Sequence, residues 1–294
     1  MHHTSPSISP AFDPKSVAEC LRQGKDGIWY ANGDEKFETV SYPEEGNAEC
    51  FEVEENSFWF RHRAAAICAA MKNFPPPGPV YDIGGGNGFI TRSLLNDGHE
   101  AVLLEPGKTG AFNASKRGIP TIICSTLVEA RFRENCLPAV GLFDVLEHVK
   151  TDHAFLGEIH RCLTPGGRLY VTVPSYAWLW SYEDNEAGHY RRYTTRRLAS
   201  DLKAAGFNCL YQTHIFSLLP IPLFLVRALP SLFGRVKFSA ASNESVHRPR
   251  MKGFTGKIWA IEINRINSRR SIPFGSSCMI VAEKSLNSFS SPRL

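Results

Sequence analysis

The fold of this chain is decided at residues 80–90, which read VYDIGGGNGFI. Residues 80–83 predict a short buried strand, and the glycines predict a sharp turn, because glycine has no Cβ and takes positive φ at little cost. Helical spacing of apolar residues resumes at Ile90, Leu94 and Leu95. Backbone amides of the loop and first helical turn can then face a bound molecule. The stretch predicts a strand, a ligand-binding loop and a helix.

A second acidic position supports this interpretation. Glu105 follows the apolar run 101–104, about 20 residues beyond the glycine loop. In a doubly wound sheet, an acid at the end of the second strand accepts hydrogen bonds from the hydroxyls of a ribose. The loop and Glu105 together predict a site for a nucleoside cofactor.

The glycine spacing separates two classes of cofactor. A dinucleotide site has a third glycine three residues after the second, but position 89 is Phe and the pattern here is G-x-G-x-G. Asp82 precedes the loop and would repel a diphosphate, whereas it attracts the ammonium and sulfonium of S-adenosylmethionine. The spacing therefore favours S-adenosylmethionine, and an NAD-dependent oxidoreductase is the more distant alternative.

Composition limits the classes of protein further. At 294 residues and 43 % hydrophobic, the chain can bury one large α/β core with additions. Eight cysteines without a C-x-x-C pair argue against structural zinc and disulfides, and residues 1–6 lack the features of a signal peptide. A net charge of +4 does not by itself indicate nucleic acid. We expect a cytoplasmic protein.

Strand-like and helix-like stretches alternate along the chain, which is typical of a βα repeat with a parallel sheet. Strands are predicted near 80–83, 101–105, 119–123, 140–145, 168–173, 207–215 and 277–284, and helices near 58–71, 88–97, 109–117, 151–162 and 195–206. We expect the helix at 58–71 to cover the cofactor mouth, and LTPGG at 163–167 to close a helix before the fifth strand.

Four regions follow from this pattern. Residues 1–57 are expected to form a partly disordered N-terminal extension, 58–216 the core, 217–270 an insertion, and 271–294 the last strand and a tail. Residues 217–234 are almost wholly apolar but contain three prolines and an arginine, which suits a membrane span poorly. They either pack as a lid, which we favour, or lie on a bilayer surface beside the basic residues of 227–270, as in a peripheral membrane protein.

Three further motifs carry a family resemblance: FDVLEHV at 143–149, LTPGG at 163–167 and GHYRRY at 188–193. With the glycine loop, they make residues 58–215 resemble the class I S-adenosylmethionine-dependent methyltransferases. Within these, the chain is similar to the bacterial small-molecule enzymes related to ubiquinone-biosynthesis O-methyltransferases. The resemblance implies a doubly wound, Rossmann-like sheet of seven strands, mostly parallel, with an antiparallel last strand and helices on both faces.

The resemblance also implies which residues bind S-adenosylmethionine. They come from the ends of successive strands: Asp82, Gly84 and Gly86 at the methionine part, Glu105 at the ribose, Thr126 and Leu127 beside Ser125 near the adenine, and Asp144 after the fourth strand. The acid that relatives carry near the adenine is not evident next to Cys124.

Asp144, Glu147 and His148 allow two interpretations. Some relatives hold a divalent ion with acids and a His at this spacing, which orients a substrate oxygen. We prefer the interpretation without a metal, in which Glu147 and His148 are hydrogen-bonded to the backbone. His148 or His189 is then the candidate general base, because an imidazole titrates near neutral pH. Asp144 is the third candidate catalytic residue. A purely structural role for His148 is an equal alternative.

The predicted substrate contacts lie after the fifth strand, outside the carboxyl ends of the sheet. Trp178 and Tyr190 would supply flat walls, and Arg191 or Arg192 would pair with an anionic substituent. The alternative is that Arg192 and Tyr193 only anchor the next helix.

The leading hypothesis is an O-methyltransferase that acts on a small hydroxylated molecule or a lipid- or sugar-linked intermediate. The other candidate is a binding module that keeps the fold and cofactor without catalysis. A nucleic-acid substrate is disfavoured because no Asn/Asp-Pro-Pro-aromatic stretch follows the fourth strand, where FDVL stands instead. The sequence makes no prediction of the oligomeric state.

Overall fold

The computed structural model describes residues 13–31, 50–234 and 254–286, and its centre is a nine-stranded sheet. The strand order is β1-β2-β5-β4-β3-β6-β7-β9-β8. The strands are β1 (Leu21–Gln23), β2 (Trp29–Ala31), β3 (Val80–Ile83), β4 (Ala101–Leu104), β5 (Ile122–Cys124), β6 (Leu137–Phe143), β7 (Leu163–Pro174), β8 (Phe207–Ile215) and β9 (Ser277–Lys284).

The predicted doubly wound sheet is confirmed. From β2 to β7 all neighbours are parallel, and β9 runs antiparallel between β7 and β8. β3 and β4 are buried along their whole length, because helices cover both faces of the sheet. The carboxyl ends of the parallel strands therefore meet at one edge, where a ligand can enter.

The predicted number of strands was wrong, because the sheet has nine and not seven. The expected seven are β3 to β9, and the hairpin of β1 and β2 adds two more beyond β5. Trp29 and Tyr30 of β2 pair with Ile123 and Cys124. The hairpin covers an edge that would otherwise expose unpaired backbone groups. The predicted partial disorder of residues 1–57 stays a prediction, since residues 1–12 and 32–49 lie outside the described residues.

Helices join the strands close to the predicted positions. They are α1 (Phe58–Asn73), α2 (Phe89–Asn96), α3 (Lys108–Lys116), α4 (Asp152–Cys162), α5 (Tyr182–Glu186), α6 (Thr195–Ala204), α7 (Pro220–Leu223), α8 (Leu229–Leu232) and α9 (Phe254–Asn267). The stretch 163–167 follows the end of α4 at Cys162, as predicted, but the strand begins before the predicted residue 168, because Leu163 already pairs with Leu137 of β6.

The region 217–270 contributes two distinct parts. In the first, α7, a π-helical turn Phe224–Ala228 and α8 follow one another, and prolines fall at the first turns of α7 and α8. In the second, α9 packs against α1 and buries Trp259 and Ile266. Within the described ranges, no helix is long and apolar enough to cross a membrane. Because α9 buries Trp259 and Ile266 against α1, this second part of the region belongs to the core.

Glu262 of α9 ties these parts together. Its Oε1 accepts the Phe216 backbone N–H at 2.7 Å and lies 2.7 Å from Nε2 of His62 on α1. Its Oε2 accepts the Ser217 N–H at 2.9 Å and the Ser217 hydroxyl at 2.8 Å. Phe216 has φ +61 and stacks on Trp59 with the ring centroids 3.9 Å apart. One buried carboxylate thus fixes the start of the 217–234 segment against α1.

We expect Glu262→Gln to lower the free energy of unfolding by about 1–3 kcal/mol, because the amide nitrogen of Gln would face backbone N–H donors that need an acceptor. Chemical denaturation of the full chain measures the change. Glu100→Gln, at an exposed glutamate, is the control and should leave stability unchanged. Equal stability of both variants would contradict the role of Glu262.

Candidate functional site

A cavity of 1020 Å³ opens at the carboxyl ends of the parallel strands. The glycine loop forms one wall, α1 contributes Trp59, Phe60 and Arg63, and the 217–234 segment contributes Leu223 and Arg227. Asp82 and Glu105 both line it. The structure therefore brings the two predicted acids into one shared space, as the sequence predicted.

Positive φ angles at three glycines shape the loop. Gly84, Gly86 and Gly88 have φ of 70°, 55° and 74°. A Cβ at Gly88 would lie 2.2 Å from Cδ1 of Ile119, so no larger residue fits there without a shift. The loop can therefore turn tightly between β3 and α2 and present its backbone to the cavity.

Glu105 is held in place by two backbone amides. Its Oε2 accepts the Gly86 N–H and its Oε1 accepts the Gly107 N–H, both at 2.8 Å. The side chain is buried. Each carboxylate oxygen has a second lone pair, so the fixed carboxylate can still accept hydrogen bonds from the two hydroxyls of a ribose.

Asp82 is fully buried and is held on one side only. Its Oδ2 accepts the Thr91 hydroxyl at 2.6 Å, whereas its Oδ1 has no hydrogen-bond partner among the described residues. Burial raises the pKa of Asp82 to about 6. A buried acid with an unsatisfied oxygen beside a cavity is suited to a positively charged ligand group.

The side of the cavity at which the resemblance places the adenine contains an acid that the sequence analysis missed. Thr126 and Leu127 line the cavity as predicted, and Ser125 lies beside them. Glu129 also lines it, and its Oε2 accepts the backbone N–H and the hydroxyl of Thr126, each at 3.0 Å. The turn after β5 brings Glu129 back to the cavity wall. The spacing between Cys124 and Glu129 in the sequence does not predict this.

Asp144 lines the cavity, but its carboxylate already has partners. It accepts hydrogen bonds from the guanidinium of Arg63 and, at 2.9 Å, from the hydroxyl of Thr172. Its backbone takes φ 57°, which is rare for a residue with a side chain. The contacts do not support a catalytic or metal-binding role for Asp144 and instead make it an anchor for α1. Arg63, which the sequence analysis missed, lies buried on α1.

Glu147, His148 and His189 form the cluster next to Asp144. Within the described residues, these are the side chains close enough to hold an ion, with ligand atoms within 4.8 Å of one another. The predicted alternative metal set of Asp144, Glu147 and His148 was therefore wrong in one member. Asp144 is not part of the cluster, and His189 takes its place.

Burial changes the protonation of this cluster. It lowers the pKa of His148 to about 3 and raises that of Glu147 to about 8, because both groups lose the solvation of their charged forms. Both are therefore uncharged at pH 7. The expectation that His148 titrates near neutral pH was wrong, and a group of such low pKa is a weak base.

His189 is oriented by a carboxylate that the sequence analysis did not single out. Its Nδ1 lies 2.7 Å from Oδ1 of Asp184. Arg192 donates to both oxygens of Asp184, from Nε at 2.8 Å and from Nη2 at 3.0 Å. Burial alone would raise the pKa of Asp184, but the hydrogen bonds from His189 and Arg192 outweigh it and lower that pKa. The arrangement leaves Nε2 of His189 to accept a proton.

Of the four predicted substrate contacts, only Arg192 lines the cavity. Trp178 and Tyr190 do not line it, and they are 45 % and 47 % exposed. Arg191 also lies outside and is paired with Asp152, 2.5 Å away. The walls in this half of the cavity instead include residues that the prediction missed: Leu179, Ser181, Glu183, Leu223 and Arg227.

Comparison with solved structures agrees with the fold. A SAM-dependent methyltransferase from Thermotoga maritima aligns with 18% identity and a TM-score of 0.51 over 82% of this chain and 95% of its own. Phosphoethanolamine N-methyltransferase 2 of Haemonchus contortus, in complex with S-adenosyl-L-methionine, aligns with 17% identity and a TM-score of 0.53 over 84% of this chain and 58% of its own. No curated protein sequence matches the chain.

A family model described as a methyltransferase domain matches residues 59–212, which is more than half of the chain. The matched span begins in α1, ends in β8 and includes the glycine loop, Glu105 and the Asp184–His189 pair. The match favours methyl transfer over the NAD-dependent oxidoreductase. The chain therefore belongs to the family of methyltransferase domains and is a class I S-adenosylmethionine-dependent methyltransferase.

Proposed function

We propose that this enzyme methylates an oxygen atom of a small hydroxylated substrate or of a lipid- or sugar-linked one, with His189 as the general base. The observation that carries the proposal is that one cavity has two chemically different ends. The glycine loop, Asp82 and Glu105 form the first end, and the Asp184–His189 pair forms the second.

The two ends divide the work of the reaction. When bound, S-adenosylmethionine supplies a methyl group on a positively charged sulfur, and the carboxylates of Asp82 and Glu105 hold the donor by its ammonium and its ribose. The methyl group that the cofactor would supply would go to the acceptor oxygen, with S-adenosylhomocysteine as the product, and the hydroxyl proton of the acceptor would pass to Nε2 of His189. Asp184 keeps the imidazole in the tautomer that can accept this proton.

The second end favours an acceptor that is partly apolar and carries an anion. Leu179 and Leu223 provide apolar wall, and Arg192 and Arg227 bring guanidinium groups to it. Arg227 lies 3.4 Å from Glu183, and burial lowers its pKa. A cation in a largely desolvated wall suits a phosphate or carboxylate on the acceptor. This combination supports a lipid- or sugar-linked substrate. The proposed relation to the ubiquinone-biosynthesis O-methyltransferases rests on the sequence motifs at 143–149, 163–167 and 188–193.

We also propose that the 217–234 segment contacts a membrane surface. Its inner side lines the cavity through Leu223 and Arg227, while its outer side exposes Ile221, Leu225, Val226, Leu232 and Phe233 by 56–73 %. In sequence, residues 235–253 add five basic residues against one acid. The inner side of the segment can therefore act as a lid while its outer side contacts a membrane. This arrangement would let a lipid-linked acceptor reach the cavity from a bilayer.

The membrane contact predicts flotation with anionic vesicles that salt weakens. We expect the double substitution Leu225→Glu and Val226→Glu to reduce the bound fraction several-fold, because it places charge on the apolar face. Val128→Glu, at an exposed apolar position after β5, is the matched control. Equal binding by both variants would contradict a contact through this segment, and concentration-dependent self-association of the wild type without flotation would point to a second copy of the chain.

The raised pKa of Asp82 predicts a pH-dependent affinity for S-adenosylhomocysteine. Below pH 6 the carboxyl is protonated and cannot pair with the ligand's ammonium, so the affinity should be about tenfold weaker at pH 5 than at pH 7.5. Calorimetry of the wild type and of Asp82→Asn checks this. The variant should bind more weakly with a flat profile in this range. An unchanged slope in the variant would assign the titration to another group.

The role of His189 is tested with labelled S-adenosylmethionine and fractionated lipid and polar extracts. We expect His189→Ala to lower the transfer rate by about 100-fold or more, because it removes the base, while affinity for S-adenosylhomocysteine stays within twofold. His153→Ala, at an exposed histidine outside the cavity, should keep the wild-type rate. A wild type that binds the cofactor but labels neither fraction would favour the non-catalytic binding module.

A further inference from the structure

A buried polar network lies behind the glycine loop, on the side away from the cavity. Its centre is Asn87, the residue between Gly86 and Gly88, whose side chain is buried. The Asn87 carbonyl accepts Nη1 of Arg117 at 2.9 Å. Its side-chain oxygen accepts the amide of Asn113 at 3.0 Å, and its side-chain nitrogen donates to Oε1 of Glu54 at 3.2 Å. The backbone carbonyl, the side-chain oxygen and the side-chain nitrogen of Asn87 are thus each hydrogen-bonded to a residue outside the glycine loop.

Glu54 and Arg117 form an ion pair within this network. Nη1 of Arg117 donates to Oε2 of Glu54 at 2.5 Å, and both side chains are more than nine-tenths buried. The guanidinium lies 4.6 Å from the ring of Phe51 and 5.6 Å from that of Phe89. Such a buried pair gains little net stability, because desolvation offsets most of the attraction, but removing one partner leaves an uncompensated charge. We therefore expect the pair to hold Asn87 and the glycine loop in position more than to stabilise the fold.

The network connects chain segments that the glycine motif does not contain. Glu54 and Phe51 belong to the helical residues 50–54, before α1, and Arg117 follows α3. Neither Glu54 nor Arg117 is among the residues that line the cavity. Their direct contacts reach the cavity through the loop, where the Gly86 N–H holds Glu105 and Phe89 lines the cavity.

We propose that Glu54 and Arg117 are positioning residues that lock the glycine loop through Asn87, so that cofactor binding and the docking of residues 50–56 are coupled. With the loop held, the Gly86 amide keeps the Glu105 carboxylate in place for the ribose. Without the network, the loop must be ordered at the expense of binding energy. The coupling is reciprocal, so the bound cofactor stabilises the docked state of residues 50–56 by the same free energy.

The proposal is tested on the full chain by calorimetry with S-adenosylhomocysteine. We expect Glu54→Gln and Arg117→Met each to weaken binding at least tenfold. The affinity of the double variant should lie within twofold of that of the weaker-binding single variant. Glu55→Gln is the matched control, since Glu55 is the exposed neighbour 3.4 Å from Nε of the same arginine. It should bind within twofold of the wild type. Wild-type affinity in a folded Glu54→Gln variant would overturn the proposal.

Hydrogen exchange of the wild type provides a second measurement that needs no variant. We expect S-adenosylhomocysteine to increase the protection of the backbone amides of residues 50–56, although these residues do not line the cavity. Unchanged protection of 50–56, with increased protection of the glycine loop, would overturn the coupling even if a variant failed to fold. The proposal does not depend on the methylated atom, so a failure of O-methylation leaves both measurements interpretable.

Discussion

The structure depends on the placement of two buried carboxylates at one edge of a parallel sheet. Asp82 pairs with Leu103 near the end of β3, and Glu105 directly follows β4, so both acids lie at the carboxyl ends of adjacent parallel strands. Two buried like charges are costly, and each is relieved differently. Glu105 is compensated by two backbone amides, whereas Asp82 has one hydroxyl and a raised pKa of about 6. The glycine loop supplies one of these amides, from Gly86, and Gly107 after β4 supplies the other, while Asp82 is left incompletely satisfied.

The parts of the fold that sequence reasoning predicted are those set by local periodicity. β3, α2 and β4 carry their own patterns, so their bounds agreed within a residue or two. The hairpin of β1 and β2 was missed because strands of three residues are specified by the open edge of β5 and not by their own pattern. The site shows the same division. The motif acids were found, but Glu129, Arg63 and Asp184 reach the cavity through tertiary contacts that spacing does not show.

The burial of His148 and the hydrogen-bond partners of Asp144 explain why these two residues were assigned the wrong chemistry. A sequence gives the ordinary titration of a histidine, and His148 was expected to act near neutral pH. Its enclosed position beside His189 lowers its pKa to about 3 instead. Asp144 was expected to be available to a metal or substrate, but Arg63 and Thr172 occupy its carboxylate. Neither effect is visible in the motif FDVLEHV, because the first arises from burial and His189, and the second from Arg63 of α1 and Thr172 of β7.

The protonation states at the second end of the cavity, around the Asp184–His189 pair, suit methyl transfer. Positive charge on the donor sulfur is dispersed as the methyl group moves, so surroundings with few fixed charges oppose the reaction least. Burial keeps Glu147 and His148 uncharged at pH 7, since their pKa values are shifted to about 8 and about 3. Charge at this end is then concentrated on Asp184 and its partners. Because Asp184 is fixed by Arg192 and bonded to His189, the proposed proton acceptor is a single imidazole, and in the proposed reaction the acceptor oxygen would lie between that ring and the donor methyl group.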